Sequence, residues 1–312
     1  MRKVLNDIKC YLEKFREIYG VETAILSQRD GFPISIVGVW LSEDEIFGVC
    51  SSSSAIYAAA QQLSKGLLNY LFIEGNRVNM VISPLQDLRE FCFTIVTRPR
   101  VNLGAIFLKM HETFFLLRNA VLNLSDIKPP LRKFTEDEIK NILKSFLIKP
   151  GEETVNEIKH EMLELDGASL GSIRRSLEEL LTLIKEIELV SLIYEGGYLV
   201  LSLSRSGECN VTGSEDVLAY SLMDTATRLM WITKKTVVER VMCDCKNYMF
   251  FIYDLGGCIL VIKTVKGQIK LGFLRLIINS CINKIQNILR ERKMKKPVIP
   301  KIGTLEELQL SF

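Results

Sequence analysis

The sequence predicts an α+β protein of two similar units, each a five-stranded antiparallel sheet with helices on both faces. First, hydrophobic periodicity gives the element order α-β-β-α-β-β-β-α twice along the chain. Second, matching positions recur at a nearly constant spacing, since Gly31 and Gly197 are 166 residues apart and Gly104 and Gly272 are 168 apart. Third, 312 residues with 48% hydrophobic content are enough for two domains with cores of their own.

The first series combines three helices that carry apolar stripes with five apolar strands. Asp30 and Gly31 predict the turn between the first two strands, and Gly75 with Asn76 predicts the hairpin turn after the third strand. The serines at 51–54 are placed to cap the start of the second helix. The predicted bounds are 4–18 (helix), 21–27 and 32–39 (strands), 52–69 (helix), 69–74, 78–83 and 90–96 (strands), and 103–121 (helix).

The second series repeats this order with little identity of residues, so the repeat is one of pattern. Glycine pairs at 196–197 and 256–257 predict two of its turns. The predicted bounds are 169–186 (helix), 188–194 and 198–203 (strands), 214–231 (helix), 235–242, 247–254 and 258–264 (strands), and 271–289 (helix).

A charged segment interrupted by prolines separates the two series. Thr135 and Glu138 have the spacing of a capping box, which predicts a short helix there. The net charge of +3 is concentrated near the end of the chain, where residues 290–301 hold six lysines and arginines and one glutamate. We therefore expect a first domain at 1–124, a helical connector at 125–167, a second domain at 168–292 and a basic tail at 293–312.

The first series resembles the roadblock/LC7 family, whose fold is similar in shape to longin and profilin-like folds. The matching segments are GVETAILSQRDGFPISIVG (20–38), SSSSAIYAAAQQLSKGLL (51–68) and RPRVNLGAIFLKM (98–110). The second series is similar more weakly, because it keeps Leu271 and Gly272 but has Lys270 where the first has Asn102. The two series together cover about four-fifths of the chain.

This resemblance implies a non-enzymatic platform that binds or regulates a small Ras-like GTPase, either as a subunit that stimulates GTP hydrolysis or as a scaffold subunit. Roadblock proteins pair through their second helices while their sheets join edge to edge. We expect this pairing to form within one chain or between two copies of it. The alternative is that each second helix lies only on its own sheet. The expected pairing or partner surface consists of Ser54, Ala55, Ala58, Ala59, Gln62, Leu218, Leu222 and Thr225.

Patterns typical of catalysis are missing. The chain has two histidines, His111 and His160, both beside glutamates, and it has neither a GxSxG nucleophile elbow nor a GxxxxGK[ST] phosphate loop. Cys243 and Cys245 form a CxC pair without the further ligands of a zinc site, which favours buried thiols. We therefore expect no enzymatic activity, no cofactor and no metal.

Two other functions stay open. One is a scaffold for partners that are not GTPases. The other is a winged-helix DNA-binding regulator over 135–203, in which Arg174 and Arg175 face DNA, although nearby glutamates disfavour contact with phosphates. The sequence disfavours nucleic-acid binding by the folded body, and it leaves weak contact between the basic tail and an anionic membrane open. The charged start of the chain does not resemble a signal peptide, so we expect a cytoplasmic protein.

Overall fold

The computed structural model describes residues 2–38, 41–85, 88–122, 165–206, 213–266 and 271–291. These residues form six α-helices and ten β-strands. The helices are α1 (Arg2–Arg16), α2 (Glu43–Leu63), α3 (Leu103–Leu122), α4 (Gly167–Leu183), α5 (Gly213–Ile232) and α6 (Leu271–Glu291). The strands are β1 (Val21–Gln28), β2 (Pro33–Val37), β3 (Leu68–Gly75), β4 (Asn79–Leu85), β5 (Leu88–Thr97), β6 (Ile187–Tyr194), β7 (Tyr198–Ser204), β8 (Val238–Cys245), β9 (Tyr248–Asp254) and β10 (Cys258–Val265).

All ten strands pair antiparallel in one sheet, in the order β2-β1-β5-β4-β3-β8-β9-β10-β6-β7. The centre of the sheet is the pairing of β3 with β8, where Leu71 lies opposite Cys243 and Ile73 lies opposite Val241. We call this pairing the seam. The sequence predicts two five-stranded sheets, whereas the structure has one sheet of ten strands because these two strands pair along their edges.

Helices cover both faces of the sheet because side chains alternate between the two faces of each strand. On one face, α2 and α5 share a central core that includes Tyr57 and Leu63 of α2 and Leu222 and Leu229 of α5. On the other face, α1 and α3 pack on the strands before the seam, and α4 and α6 pack on the strands after it. The protein therefore has three layers, and the fully buried core under α2 and α5 extends across the seam.

Helix α2 begins nine residues before the predicted start at 52. Its N-cap is Ser42, whose Oγ accepts a hydrogen bond from the Glu45 backbone N–H while the Glu45 carboxylate accepts one from the Ser42 N–H. The predicted capping role of the serines at 51–54 is therefore wrong. These serines lie in the middle of α2, and those at 52–54 are buried.

The segment that the winged-helix alternative requires is part of the layered fold wherever it is described. Helix α4 buries Ile173 and Leu177 against the sheet, and β6 pairs with β10 through residues such as Leu192 and Leu260. A recognition helix and a wing would instead be exposed for DNA. The described residues therefore contain no free-standing winged helix, which corrects that alternative.

Other expectations fall outside the described residues. They concern the connector apart from its last few residues, His160 within the connector, and the basic tail beyond residue 291. The domain boundaries therefore stay predictions. Among the helices that are described, none combines the length and the apolar character that a membrane span requires.

Candidate functional site

Helices α2 and α5 lie side by side and run in opposite directions across the seam. Near the start of α2, a Cβ atom added to Gly48 would lie 3.8 Å from Cγ2 of Ile232, the last residue of α5. Beyond the other end of α2, Lys65 Nζ lies 3.5 Å from Oε1 of Glu215 in the first turn of α5. The two helices therefore form one surface, and we call their outward side the α2–α5 face.

The predicted residues of α2 differ in how far their side chains are buried. Ser54 is buried, and its hydroxyl donates a hydrogen bond to the backbone carbonyl of Arg29 in the turn between β1 and β2. Ala59 is half-buried against the central core, and Ala58 beside it is also half-buried, while Ala55 and Gln62 are exposed. The two exposed residues are the ones available to a partner.

The predicted residues of α5 follow one line along that helix. Leu222 is fully buried in the central core, and Leu218, one turn earlier, is half-buried against it. Thr225 is half-buried, and its hydroxyl donates to the backbone carbonyl of Ser221 at 2.7 Å. Such a bond within the helix satisfies the hydroxyl. Leu218 and Leu222 therefore provide apolar contacts with the core, and Thr225 adds no charge to the face.

Gly48 is a contact residue that the sequence reasoning missed. It lies in the first two turns of α2 and is buried beside α5. The predicted start of α2 at 52 excluded it, although Ser42 and Glu45 have the spacing of a capping box. That spacing is the signal that could have placed the first turns of α2 correctly.

Ion pairs on the opposite face of the sheet hold the seam together. Glu74 of β3 pairs with Arg240 of β8 and with Arg275 of α6. Asp244 of β8 accepts a hydrogen bond from Asn69 at 2.8 Å, and Lys266 Nζ lies 2.8 Å from the same carboxylate oxygen. Glu74 and Asp244 are largely buried, and the low dielectric there strengthens the electrostatic attraction within these pairs.

Two arginines lie near the buried Tyr57 on the flank of the α2–α5 face beside α2. Beside α2, burial and the nearby Cys92 raise the pKa of Tyr57 to about 12, while the guanidinium groups of Arg89 and Arg29 oppose that shift.

The flank beside α5 is acidic. A cleft of ≈ 570 Å³ lies there, lined by Tyr220 and Trp231 of α5 and by the carboxylates of Glu195, Asp224 and Asp254. At its edge, burial raises the pKa of Cys258 to about 12, and the charges of Glu195 and Asp254 raise it further. This flank thus presents carboxylates to a partner that spans the face.

The CxC pair and the other potential metal ligands do not come together among the described residues. No group of three or more histidine, cysteine or acidic side chains among them could hold a metal ion. Cys243 and Cys245 are buried, as the sequence predicts, and burial is the main cause that raises both of their pKa values. A thiol that stays protonated is a poor nucleophile.

Arg98, an exposed arginine in the segment before α3, takes part in ion pairing. Arg98 Nε lies 3.3 Å from Oε1 of Glu22, and Lys234 donates to the other carboxylate oxygen of Glu22 at 2.5 Å. The Arg98 side chain is nevertheless 60% exposed. Arg98 thus has a place in an ion-pair network beside the end of α5.

Comparisons with known proteins give matches in structure alone. No model of a known protein family matches the chain, and no curated protein matches its sequence. The structure is similar to the roadblock/LC7 domain from Streptomyces avermitilis, with 13% identity, a TM-score of 0.34, and coverage of 36% of this chain and 97% of that one.

Two further similar structures are MglB proteins. MglB from Myxococcus xanthus is 16% identical with a TM-score of 0.38, and the match covers 43% of this chain and 100% of that chain. The gliding protein MglB from Thermus thermophilus is also 16% identical with a TM-score of 0.37, and the match covers 42% of this chain and 97% of that chain.

Proposed function

We propose that the chain is a fused pair of roadblock-like units whose α2–α5 face binds a small Ras-like GTPase and has no catalytic activity of its own. The observation that carries this proposal is the seam, together with the packing of α2 against α5 inside one chain. The resemblance in sequence implies that roadblock units pair in this way, through their second helices and the edges of their sheets.

Corresponding contacts on the two sides of the seam support the idea of two units. Gly31 and Gly197 lie in the turns after β1 and β6, with φ angles of 87° and 86°. A Cβ atom added to Gly31 would lie 2.7 Å from Ser51 Cα, and one added to Gly197 would lie 3.1 Å from Val217 Cα. Each turn therefore closes against the flank of a helix at a point where a side chain does not fit without displacement.

The surface chemistry favours binding of a folded protein. The exposed side chains at the middle of the face are small or neutral, as Ala55, Gln62 and Ser221 show. Carboxylates line the cleft beside α5, and complementary charge on a partner increases the rate and the specificity of association. The platform proposed here therefore favours a partner that carries basic residues opposite this cleft.

We propose that any stimulation of GTP hydrolysis acts by ordering the catalytic loops of the GTPase itself. An arginine supplied in trans is the other known route, and it is worth roughly 10³–10⁵ in rate. Arg98 is already paired with Glu22, which does not favour that role. We expect that Arg98→Ala and Arg100→Ala leave both binding and hydrolysis nearly unchanged, as measured by binding assays and phosphate release.

A binding experiment with a matched pair of variants tests the proposal. The purified chain is mixed with each small Ras-like GTPase of its source in the GDP and GTP states, and affinity is measured by calorimetry. Ala55→Arg should weaken binding by about tenfold or more, because a long charged side chain on the α2–α5 face separates the two surfaces. Ala168→Arg, at an alanine of α4 that is also exposed and lies at the opposite face, should leave binding unchanged.

Three results would contradict the proposal. The absence of binding to every GTPase tested would favour the scaffold function. If Ala55→Arg and Ala168→Arg weakened binding equally, the binding site would lie elsewhere. Turnover of GTP by this chain alone would show that it is an enzyme.

A further inference from the structure

The acidic cleft beside α5 borders a groove that α6 lines on the other side of the sheet. The groove, of ≈ 430 Å³, includes Arg290 in the last turn of α6. It shares three lining residues with the cleft, namely Val237, Val238 and Asp254. The two cavities therefore meet at the rim of the sheet, where β8 begins and β9 ends. Because the described part of α6 ends at Glu291, the next residues of the chain start beside this groove.

Two of the three carboxylates of the cleft are available to a cation. Asp224 is already paired, since its Oδ2 lies 2.9 Å from Arg228 Nε. Glu195 and Asp254 form no ion pair with any described residue. Burial, and then the charges of Glu195 and Asp254, raise the pKa of the Cys258 thiol to about 12, so both carboxylates lie near the same part of the cleft. The cleft therefore offers a cation two negative charges at one place.

The sequence that follows α6 has complementary chemistry. Residues 292–301 (RKMKKPVIPK), which we call the basic segment, hold five lysines and arginines and no acidic residue. Lysine ammonium groups pair with carboxylates, and their aliphatic stems pack on aromatic side chains such as Tyr220 and Trp231 of the cleft. Lys235 Nζ lies 5.1 Å from the centre of the Trp231 ring, so the cleft already accommodates an ammonium group at its edge. Ten extended residues span about 33 Å, and the groove and the cleft share a wall, so the basic segment is long enough to enter the cleft.

We propose that the cleft beside α5 is the docking site of the chain's own basic segment, whose ammonium groups pair with Glu195 and Asp254. Attachment to α6 gives the segment a high effective concentration at the cleft, so individually weak ion pairs are enough to hold it. Two other arginines that line the groove are both paired with Glu74, which reduces their repulsion of the segment. This contact does not depend on the proposed GTPase. Only one consequence rests on the proposed function, namely that the segment and a basic partner compete for the cleft.

Carbodiimide crosslinking of the full chain, without any GTPase, tests where the basic segment lies. The reagent joins a lysine amine directly to a carboxylate that it contacts, and mass spectrometry of the digested protein identifies each joined pair. We expect the lysines of the basic segment to be joined to Glu195 or Asp254. In a mixture of isotope-labelled and unlabelled chains, each joined pair should come from one kind of chain, because the contact lies within one molecule. The absence of these links, or links between labelled and unlabelled chains only, would overturn the proposal.

Trp231 reports on the same contact, because Trp40→Phe leaves it as the only tryptophan of the chain. Charge reversal in the basic segment, by Lys293→Glu, Lys295→Glu and Lys296→Glu together, should release the segment from the carboxylates. Acrylamide should then quench the fluorescence of Trp231 more strongly. Salt at 1 M, where the Debye length is about 3 Å, should have the same effect on the chain with its lysines intact. Quenching that charge reversal leaves unchanged would overturn the proposal.

Removal of the cleft's carboxylates should also release the basic segment. Glu195→Gln with Asp254→Asn should increase the quenching of Trp231. The matched control, Asp7→Asn with Glu17→Gln, removes two exposed carboxylates at α1 and should leave the quenching unchanged. Adding the lysine substitutions to the cleft variant should cause no further increase, because the contact is already lost. Thermal unfolding shows whether each variant is folded, and if the cleft variant is unfolded, the lysine variant decides. An equal response of the control, or additive effects of the cleft and lysine substitutions, would overturn the proposal.

Discussion

Asp216 lies in the first turns of α5 with its side chain 3% exposed, and its Oδ2 has no hydrogen-bond partner among the described residues. Burial, and secondarily the charge of Glu215, raises the pKa of this carboxyl to about 6. An unfolded chain would have an aspartate pKa of about 3.9, so the folded protein holds the proton more tightly. The stabilising effect of that proton is complete below about pH 4 and is lost as the pH rises to about 6.

Asp216→Asn should remove this dependence of the free energy of unfolding on pH. The variant carries no carboxyl to ionise, so the fall in stability that this residue causes between about pH 4 and pH 6 should disappear. Above that range we expect the variant to be more stable by an amount on the order of 1–2 kcal/mol. Denaturant unfolding at several pH values measures it, with Asp224→Asn on the same helix as the control. An unchanged slope between pH 4 and pH 6 would contradict the assignment.

The elements show where sequence patterns are informative. The order of helices and strands follows from hydrophobic spacing, and most predicted bounds lie within a few residues of those observed. Helix α2 is the main exception, because its first turns contain charged residues and Gly48, which weaken the apolar stripe. Strand β8 begins at Val238 and not at 235, since Lys234 and Lys235 adopt positive φ angles of 57° and 49° at the end of α5.

Ser42→Ala should destabilise the protein at the start of α2. The substitution removes the side-chain acceptor of the Glu45 N–H, and loss of such a cap costs about 1 kcal/mol. Ser51→Ala, at an exposed serine within the same helix, should cost less because that residue caps nothing. Denaturant unfolding of the two variants compares these costs. If Ser51→Ala were the more harmful change, the position of the cap would be wrong.

At the scale of the whole molecule, the seam is the feature that local patterns do not reveal. Hydrophobic spacing identifies β3 and β8 as strands, but it does not determine whether their edges pair within one chain or between two. The same is true of the candidate site. Its helices follow from the sequence and the resemblance, whereas the acidic cleft beside Trp231 forms only when α5, the turn before β7 and the turn before β10 come together.

A shared core across the seam should make the protein unfold as a unit. Leu71→Ala removes a fully buried side chain of β3 that belongs to the central core, and we expect a cost of about 2–5 kcal/mol. Hydrogen exchange should then accelerate in β8 as much as in β3, because the two strands share hydrogen bonds and core. Leu260→Ala, in the separate core beneath α4 and α6, serves as the comparison. Protection that is lost in β3 and kept in β8 would show two independent units.

Arg29 and Glu195, which stand two residues before Gly31 and Gly197, have opposite charges, and this difference has a consequence for evolution. In a dimer of identical subunits, a change in one codon alters two related positions at once, so both flanks must carry the same charge. Here Arg29 and Glu195 belong to different codons of one gene, and each can mutate while the other is kept. A lineage that carries this chain can therefore adapt one flank to a new partner without altering the other.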